Sequence, residues 1–378
     1  MNINRIASVV CGIVAAMALS ASAQSYVHEQ SKDYIWPTDP QVVEKLKGWQ
    51  DLKFGILLHW GLYSVPGMVE SWAITSEDWI TPPKDKTYEE YKQWYWGLIK
   101  DFNPVKFNPE QWASVAKDAG MKYVIFTTKH HDGFCLWDSR YTDYDVASSS
   151  NDTNVVVAVA KACRKYGIGL GFYYSLWDRK ENPDVDNLES DAAYNKYMIN
   201  QIEELINMVK KITPVVEFWF DGGWVKKSYR WPVLDLYNTI KRVQPDCQVG
   251  INWPIGSPEN IDNSVKPEQQ REGYPIRYFP SDFRLGDPYL PADNDPKIFT
   301  YSGQQYYMPW ESTVCISQRW FYNTTDTTYK TLDELEELYK RCTKNDNILI
   351  LNCPPNREGR LRDNDVELLK QLRARLNL

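Results

Sequence analysis

The sequence predicts an α/β fold, a TIM-like (β/α)8 barrel in which the ring need not be perfect. Three observations predict it. Apolar, β-branched and aromatic runs of strand length alternate with segments of helical spacing, giving about seven strands. Hairpin signals between the runs are few. Polar, chemistry-bearing residues gather where the strands stop, the end at which parallel barrels carry their chemistry.

Taken in order, 54–60 reads as a strand that runs into His59-Trp60-Gly61. Residues 108–119 have surface-helix spacing and stop at Gly120. A β-branched strand over 122–129 leads into His130-His131-Asp132-Gly133-Phe134, and 154–166 is a helix with Gly167 as its stop signal. Strand 168–174 and a long helix over 191–212 follow. Residues 215–221 form an apolar, aromatic strand that ends in Asp221-Gly222-Gly223-Trp224. A helix over 231–243 precedes a strand over 247–252. Residues 257–309, rich in Pro, Asp and Gly, read as a long loop insertion. Strand 313–317, helix 332–342, strand 348–352 and helix 363–376 complete the chain.

Composition narrows the function classes. With 43% apolar residues the chain can bury a substantial core, and seven cysteines are too sparse for a disulfide scaffold. A net charge of −7 without any Lys/Arg-rich run argues against nucleic acid and anionic membrane as partners. Aromatic residues reach 14%, with 16 Trp and 25 Tyr, a supply suited equally to a large core and to stacking on sugar rings. At the N-terminus, Asn2 to Arg5 is a short basic lead, Ile6 to Leu19 a mostly apolar run, and Ala21-Ser22-Ala23 a small-residue cleavage signature. Residues 1–23 are therefore expected to be a cleaved signal peptide, and 24–378 one exported catalytic domain, periplasmic or extracellular. No later segment is long and apolar enough for a membrane span. The six cysteines beyond residue 23 include no Cys-x-x-Cys pair and are expected as buried thiols.

Asp221 lies where a strand gives way to a Gly-Gly turn. A helix N-cap is the other role open to it, but Gly222-Gly223-Trp224 makes a poor first helical turn, which favours catalysis. Three of the chain's four histidines, His59, His130 and His131, lie at or just past strand ends, as do Glu70, Tyr173 and Tyr174. Converging on one barrel mouth, these groups suit a hydroxyl-rich ligand or a metal. Adjacent histidines on a strand point to opposite faces, so His130 with His131 is an awkward ligand pair. No metal and no other cofactor is expected.

The motifs also carry a resemblance. Phe54-Gly55-Ile56-Leu57-Leu58-His59-Trp60-Gly61-Leu62-Tyr63-Ser64-Val65-Pro66 resembles the opening motif of glycoside hydrolase family 29, the α-L-fucosidases. So do Tyr123 to Trp137, Gly171-Phe172-Tyr173-Tyr174-Ser175 and Trp219-Phe220-Asp221-Gly222, in the family order. The similarity covers roughly residues 40 to 376. It implies a retaining exo-hydrolase acting through a covalent glycosyl-enzyme on fucosylated glycans. Asp221 matches the nucleophile; His59, His130, His131 and Tyr173 match groups that bind the sugar hydroxyls or steady the nucleophile. Glu70 and Trp72 resemble a Glu-Trp sugar contact with Ser71 inserted, and Trp310-Glu311 resembles a Trp-Glu motif whose aromatic packs near the sugar. Trp60 and Trp224, inside matched motifs, join the expected substrate contacts.

The second carboxyl follows one family pattern on a variable loop, where Asp282-Phe283-Arg284-Leu285-Gly286-Asp287 puts Asp287 in place of the family's Glu. A turn residue before Pro288 is the other reading of Asp287, with Glu311 and Glu272 in reserve as the acid. Two departures concern the sugar and the architecture. Ile251-Asn252-Trp253-Pro254-Ile255-Gly256 lacks the Arg of the family's Asn-Asp-Arg-Trp-Gly, leaving Arg271, Arg277 or Arg284 to substitute and α-L-galactose as an alternative sugar. No C-terminal β-sandwich is expected after the last helix. A carbohydrate-binding relative with weak catalysis and a metallohydrolase are the competing classes.

Overall fold

The computed structural model describes residues 40–74, 86–151, 153–182, 188–223, 229–257, 265–292 and 295–378. The expected signal peptide and Trp224 lie outside them. Eight parallel strands close a barrel: β1 (Phe54–Leu58), β2 (Tyr123–Lys129), β3 (Gly169–Ser175), β4 (Val215–Asp221), β5 (Gln248–Asn252), β6 (Phe283–Gly286), β9 (Trp310–Cys315) and β10 (Ile348–Asn352). A separate antiparallel hairpin, β7 (Ile298–Tyr301) with β8 (Gln304–Tyr307), lies between β6 and β9 in the chain. Strand order around the ring is β1-β10-β9-β6-β5-β4-β3-β2.

The helices form where sequence punctuation predicts. Asn154 accepts the Val157 N–H at the start of Val155–Tyr166, and Gly167 ends that helix at φ 64°, a conformation glycine adopts without steric cost. Thr331 and Glu334 form a reciprocal capping box on Leu332–Thr343. Helices Pro40–Gln50 and Tyr88–Gly97 also form, outside any predicted element.

Alternation along the strands separates two apolar layers. Outward side chains such as Leu58, Phe126, Phe172, Phe218 and Leu351 pack beneath the helices. Inward ones fill the lumen: Leu57, Ile125, Tyr173, Trp219, Leu285 and Ile350, with Trp49 closing the base. The lumen is thus a packed core whose upper end is the only place its strands can present polar groups to a ligand.

Part of the presumed loop insertion is barrel wall. β6, pairing β5 on one side and β9 on the other, completes the ring. Its four residues include Arg284, a charge that hides the strand in the sequence. Arg284 points away from the lumen and donates to both oxygens of Asp295, which also bonds Lys297 and Asn347, all four fully buried. This network fixes the hairpin segment to the barrel. No α-helix links β5 to β6 or β6 to β9 among the described residues. The six cysteines are buried free thiols.

Candidate active site

Asp221 is the last residue of β4 and Asp287 follows directly on β6, so both carboxyls rise from the same end of the barrel. Asp287 is therefore held by a strand end and not by a variable loop. Between them stands Asn252, the last residue of β5, whose Nδ2 donates to Asp221 Oδ1 at 3.1 Å and to Asp287 Oδ1 at 2.5 Å. Trp253 Nε1 makes a longer contact of 3.4 Å to the same Asp287 oxygen.

The other oxygen of Asp221 accepts the hydroxyl of Tyr173 on β3. Tyr173 lies flat against His130, ring centroids 4.9 Å apart, with its oxygen 2.8 Å from His130 Nε2. Hydrogen bonding fixes the tautomer. His130 Nδ1 accepts the backbone N–H of His131 at 2.9 Å and meets the Ser71 hydroxyl, so its proton is on Nε2 and is donated to Tyr173. A relay of His130 to Tyr173 to Asp221 results. Ser71, the residue inserted between Glu70 and Trp72, thus has a partner in the site.

The remaining imidazoles present lone pairs. Asn352 donates its Nδ2 to the Trp320 carbonyl at 2.9 Å, so its oxygen faces His59 Nδ1 at 2.7 Å and takes that proton. His59 Nε2 is then an acceptor. Ser175 donates to the Trp177 carbonyl and lies 2.6 Å from His131 Nδ1, which leaves His131 Nε2 bare, 3.8 Å from Asp221 Oδ2. Burial keeps all three imidazoles neutral, pushing His59 down to about 4, His131 to about 3 and His130 well below its ordinary value.

The carboxyls are moved the opposite way. Burial raises Asp221, while the Tyr173 hydroxyl, the Asn252 amide and the Gly222 N–H oppose the rise. Burial, then the charge of Asp221, pushes Asp287 up to about 7, against the bonds from Asn252 and Trp253. Both carboxyls of the pocket are thus raised by burial, but Asp221 has three donors that favour its anion, whereas the charge of Asp221 adds to the rise of Asp287.

Other expected contacts divide. Glu70 sits at the rim, half-buried, 3.8 Å from Arg319, and Trp72 packs edge-on against Phe321, ring centroids 4.7 Å apart. Phe321 also lies 5.2 Å from His59 and 5.1 Å from His130 by ring centroids, a central position that sequence reading missed. Trp60 is not in the site. Because His59 faces the lumen, alternation turns Trp60 outward, where it stacks on Phe107 and donates to the Asn356 carbonyl at 2.9 Å. Tyr174 turns outward for the same reason and donates to Gln201. Trp310 opens β9 at the far end of the barrel and faces outward, its indole covering Gly286. Glu311 faces inward at that far end, bonded to Tyr123, so it is no reserve acid. Glu272 accepts the Lys297 N–H within the insertion. Of the three arginines, Arg284 is bound to Asp295 and Arg271 caps local carbonyls. Arg277 is buried beside Tyr278, whose ring touches Gly223, near the mouth.

His130, His131 and Asp221 could bring ligand atoms within 4.8 Å of one another. The two histidines are not splayed to opposite faces: β2 ends at Lys129 after a register shift, and both rings turn inward with centroids 4.3 Å apart. Both nitrogens of His130 are nevertheless engaged, and a metal would have to displace Tyr173 or the His131 N–H. The donor set fits hydrogen bonding to hydroxyls better than metal ligation.

A closed parallel barrel with two buried, amide-bridged carboxyls at its mouth, ringed by neutral imidazoles, has the layout of a barrel glycoside hydrolase. Comparison with known proteins narrows this class. Residues 21–377 match the family model described as alpha-L-fucosidase, and the chain belongs to that family. It is 31% identical over 294 residues to alpha-L-fucosidase 1 of Arabidopsis thaliana, covering 73% of this chain and 53% of that protein. The chain spans about half the length of the curated relatives it matches. Among solved structures, an alpha-L-fucosidase isoenzyme 1 from Paenibacillus thiaminolyticus is 28% identical with a TM-score of 0.67, covering 88% of this chain and 75% of that one. An alpha-L-fucosidase from Bacteroides thetaiotaomicron, 22% identical, shares the fold with a TM-score of 0.70 over 93% of this chain and 76% of its own.

Proposed function

We propose that the protein is an exported, retaining exo-glycosidase that removes terminal α-L-fucosyl residues from glycans through a covalent intermediate on Asp221. The observation that carries this reading is the Asn252 bridge. One nitrogen bonded to an oxygen of each carboxyl at 3.1 and 2.5 Å keeps the two groups close. That fits the separation of about 5–5.5 Å used by retaining enzymes better than the roughly 6.5–9.5 Å that leaves room for a water in inverting ones.

In this mechanism Asp221 attacks the anomeric carbon while Asp287 gives its proton to the departing oxygen. Consuming the Asp221 charge removes one of the two causes that hold the Asp287 proton. Asp287 then takes a proton from the water that cleaves the ester. His59 and His131 offer Nε2 lone pairs to sugar hydroxyls, and Phe321 with Trp72 gives the apolar side that a methyl-bearing sugar requires. Family membership favours fucose; the Asn252-Trp253 segment, lacking the family's Arg, keeps α-L-galactose as the second sugar to test. Export rests on the basic, apolar and small-residue pattern of residues 2–23.

The test is a panel of nitrophenyl glycosides and fucosylated oligosaccharides, with the anomer of the first-formed product followed by NMR. Hydrolysis of α-L-fucosides with first-formed α-L-fucose supports the reading. Activity confined to other glycosides would overturn the sugar, and first-formed β-L-fucose the retaining mechanism. The N-terminal sequence of exported material, expected to begin at Gln24, tests the leader.

A further inference from the structure

Beneath the nucleophile, at the opposite end of the lumen, lies a second pair of carboxyls. Glu217 on β4 and Glu311 on β9 are fully buried and in hydrogen-bond contact with each other across the barrel. Their Oε2 atoms are occupied: Trp49 Nε1 donates to Glu217 at 3.2 Å, and the Tyr123 hydroxyl donates to Glu311 at 2.6 Å. Neither Oε1 atom has an N–H or O–H partner of good geometry among the described residues, although the Trp219 indole N–H faces Glu311. Two anions could not share such a space, since desolvation costs each several kcal/mol and their mutual repulsion adds to it. A single proton between the two Oε1 atoms satisfies both. The titratable groups facing the pair are Tyr123 from β2 and Cys247 from the approach to β5, and no cation acts on either carboxyl among the described residues.

The pair also touches the machinery above it. Trp219 lies between: its indole rests against Glu311 and its ring stacks on Tyr173, centroids 5.2 Å apart. Tyr173 in turn stacks on His130 and holds Asp221. We propose that Glu217 and Glu311 share one proton and act as a positioning pair, supporting the Trp219–Tyr173–His130 stack on which the nucleophile rests. The link to turnover rests on the glycosidase reading; the shared proton does not, and it can be measured without substrate.

Burial holds both groups above their ordinary values: it pushes Glu311 up to about 7 against its bonds from Tyr123, Glu217 and Trp219, and the charge of Glu311 raises Glu217 further. The folded protein therefore keeps a proton that an unfolded glutamate releases near pH ~4.3, and stability falls as pH rises from there through 7. The experiment compares the wild type with E217Q, E311Q and E217A. In E217Q or E311Q an amide can donate to the remaining carboxylate, so the fall in Tm between pH 5 and 8 should be shallower than in the wild type. Turnover should stay within about threefold, and one protonated-carboxyl carbonyl band should leave the infrared spectrum at neutral pH. E217A should lose about tenfold or more in kcat with little change in KM. An unchanged Tm slope and an unchanged infrared band in E217Q would overturn the shared proton, even should E217A fail to fold. A well-folded E217A with wild-type kcat would overturn the positioning role.

Discussion

Asn252→Ala would test how one side chain sets the charge of both catalytic candidates. The amide donates one bond to the anionic form of each carboxyl, and both acceptors are buried. A hydrogen bond to a charged group contributes about 1.5–3 kcal/mol. At 1.36 kcal/mol per pKa unit, losing it raises each carboxyl by about one to two units. In the proposed mechanism Asp287 acts as an acid and must be protonated, so in the wild type kcat/KM is expected to fall as pH rises through about 7. In the variant that alkaline limb moves up. As the proposed nucleophile Asp221 must be ionised, so the acid limb should move up with it and the whole bell should shift to higher pH. Loss of the bridge also frees the spacing of the carboxyls, where a 1 Å error costs about a hundredfold. The assay is the pH dependence of kcat/KM on a fucosylated disaccharide, whose sugar leaving group needs protonation. A bell that stays in place, or moves to lower pH, would refute the bridge as the element that tunes the site.

Other outcomes follow from the same geometry. Asp221→Asn should lower turnover on the order of 10⁴-fold or more with the melting transition retained, as measured on an aryl fucoside. Asp287→Asn should cost about 10²–10⁴-fold on the disaccharide and far less for the glycosylation step on a nitrophenyl fucoside, whose leaving group needs no acid. Trp60→Phe should lower stability by about 1 kcal/mol through loss of its bond to Asn356 and leave KM unchanged; a raised KM would return Trp60 to the substrate site. Dialysis against a chelator should leave activity intact, and a loss restored by zinc would revive the metal reading of His130, His131 and Asp221.

The sequence displayed the barrel through its strand periodicity, and it displayed the nucleophile candidate through the abrupt stop of an apolar strand at Asp221. It hid β6, because four residues with a buried arginine among them carry too little pattern, and with β6 the firm seat of Asp287. Trp60 and Trp310, expected in the site because they stand in motifs that resemble the family's, lie outside it by alternation. With His59 and Glu311 facing the lumen, their neighbours had to face out. The groups that set tautomers and charge, Ser71, Ser175, Asn252 and Asn352, are short polar residues with no local signature. Only closure of the ring gives them partners from distant strands. Phe321 could have been suspected, since Trp320-Phe321 stands in the loop after a strand end.

The central claim is that Asp221 is the group that becomes covalently bonded to the sugar while Asp287 serves the leaving group. It is tested most directly by trapping the intermediate with a slow fluorinated fucoside and sequencing the labelled peptide by mass spectrometry. One added fluorofucosyl mass on Asp221 is expected, with accumulation enhanced in Asp287→Asn when the leaving group is activated. Label on another carboxylate, or no covalent adduct during active turnover, would contradict it.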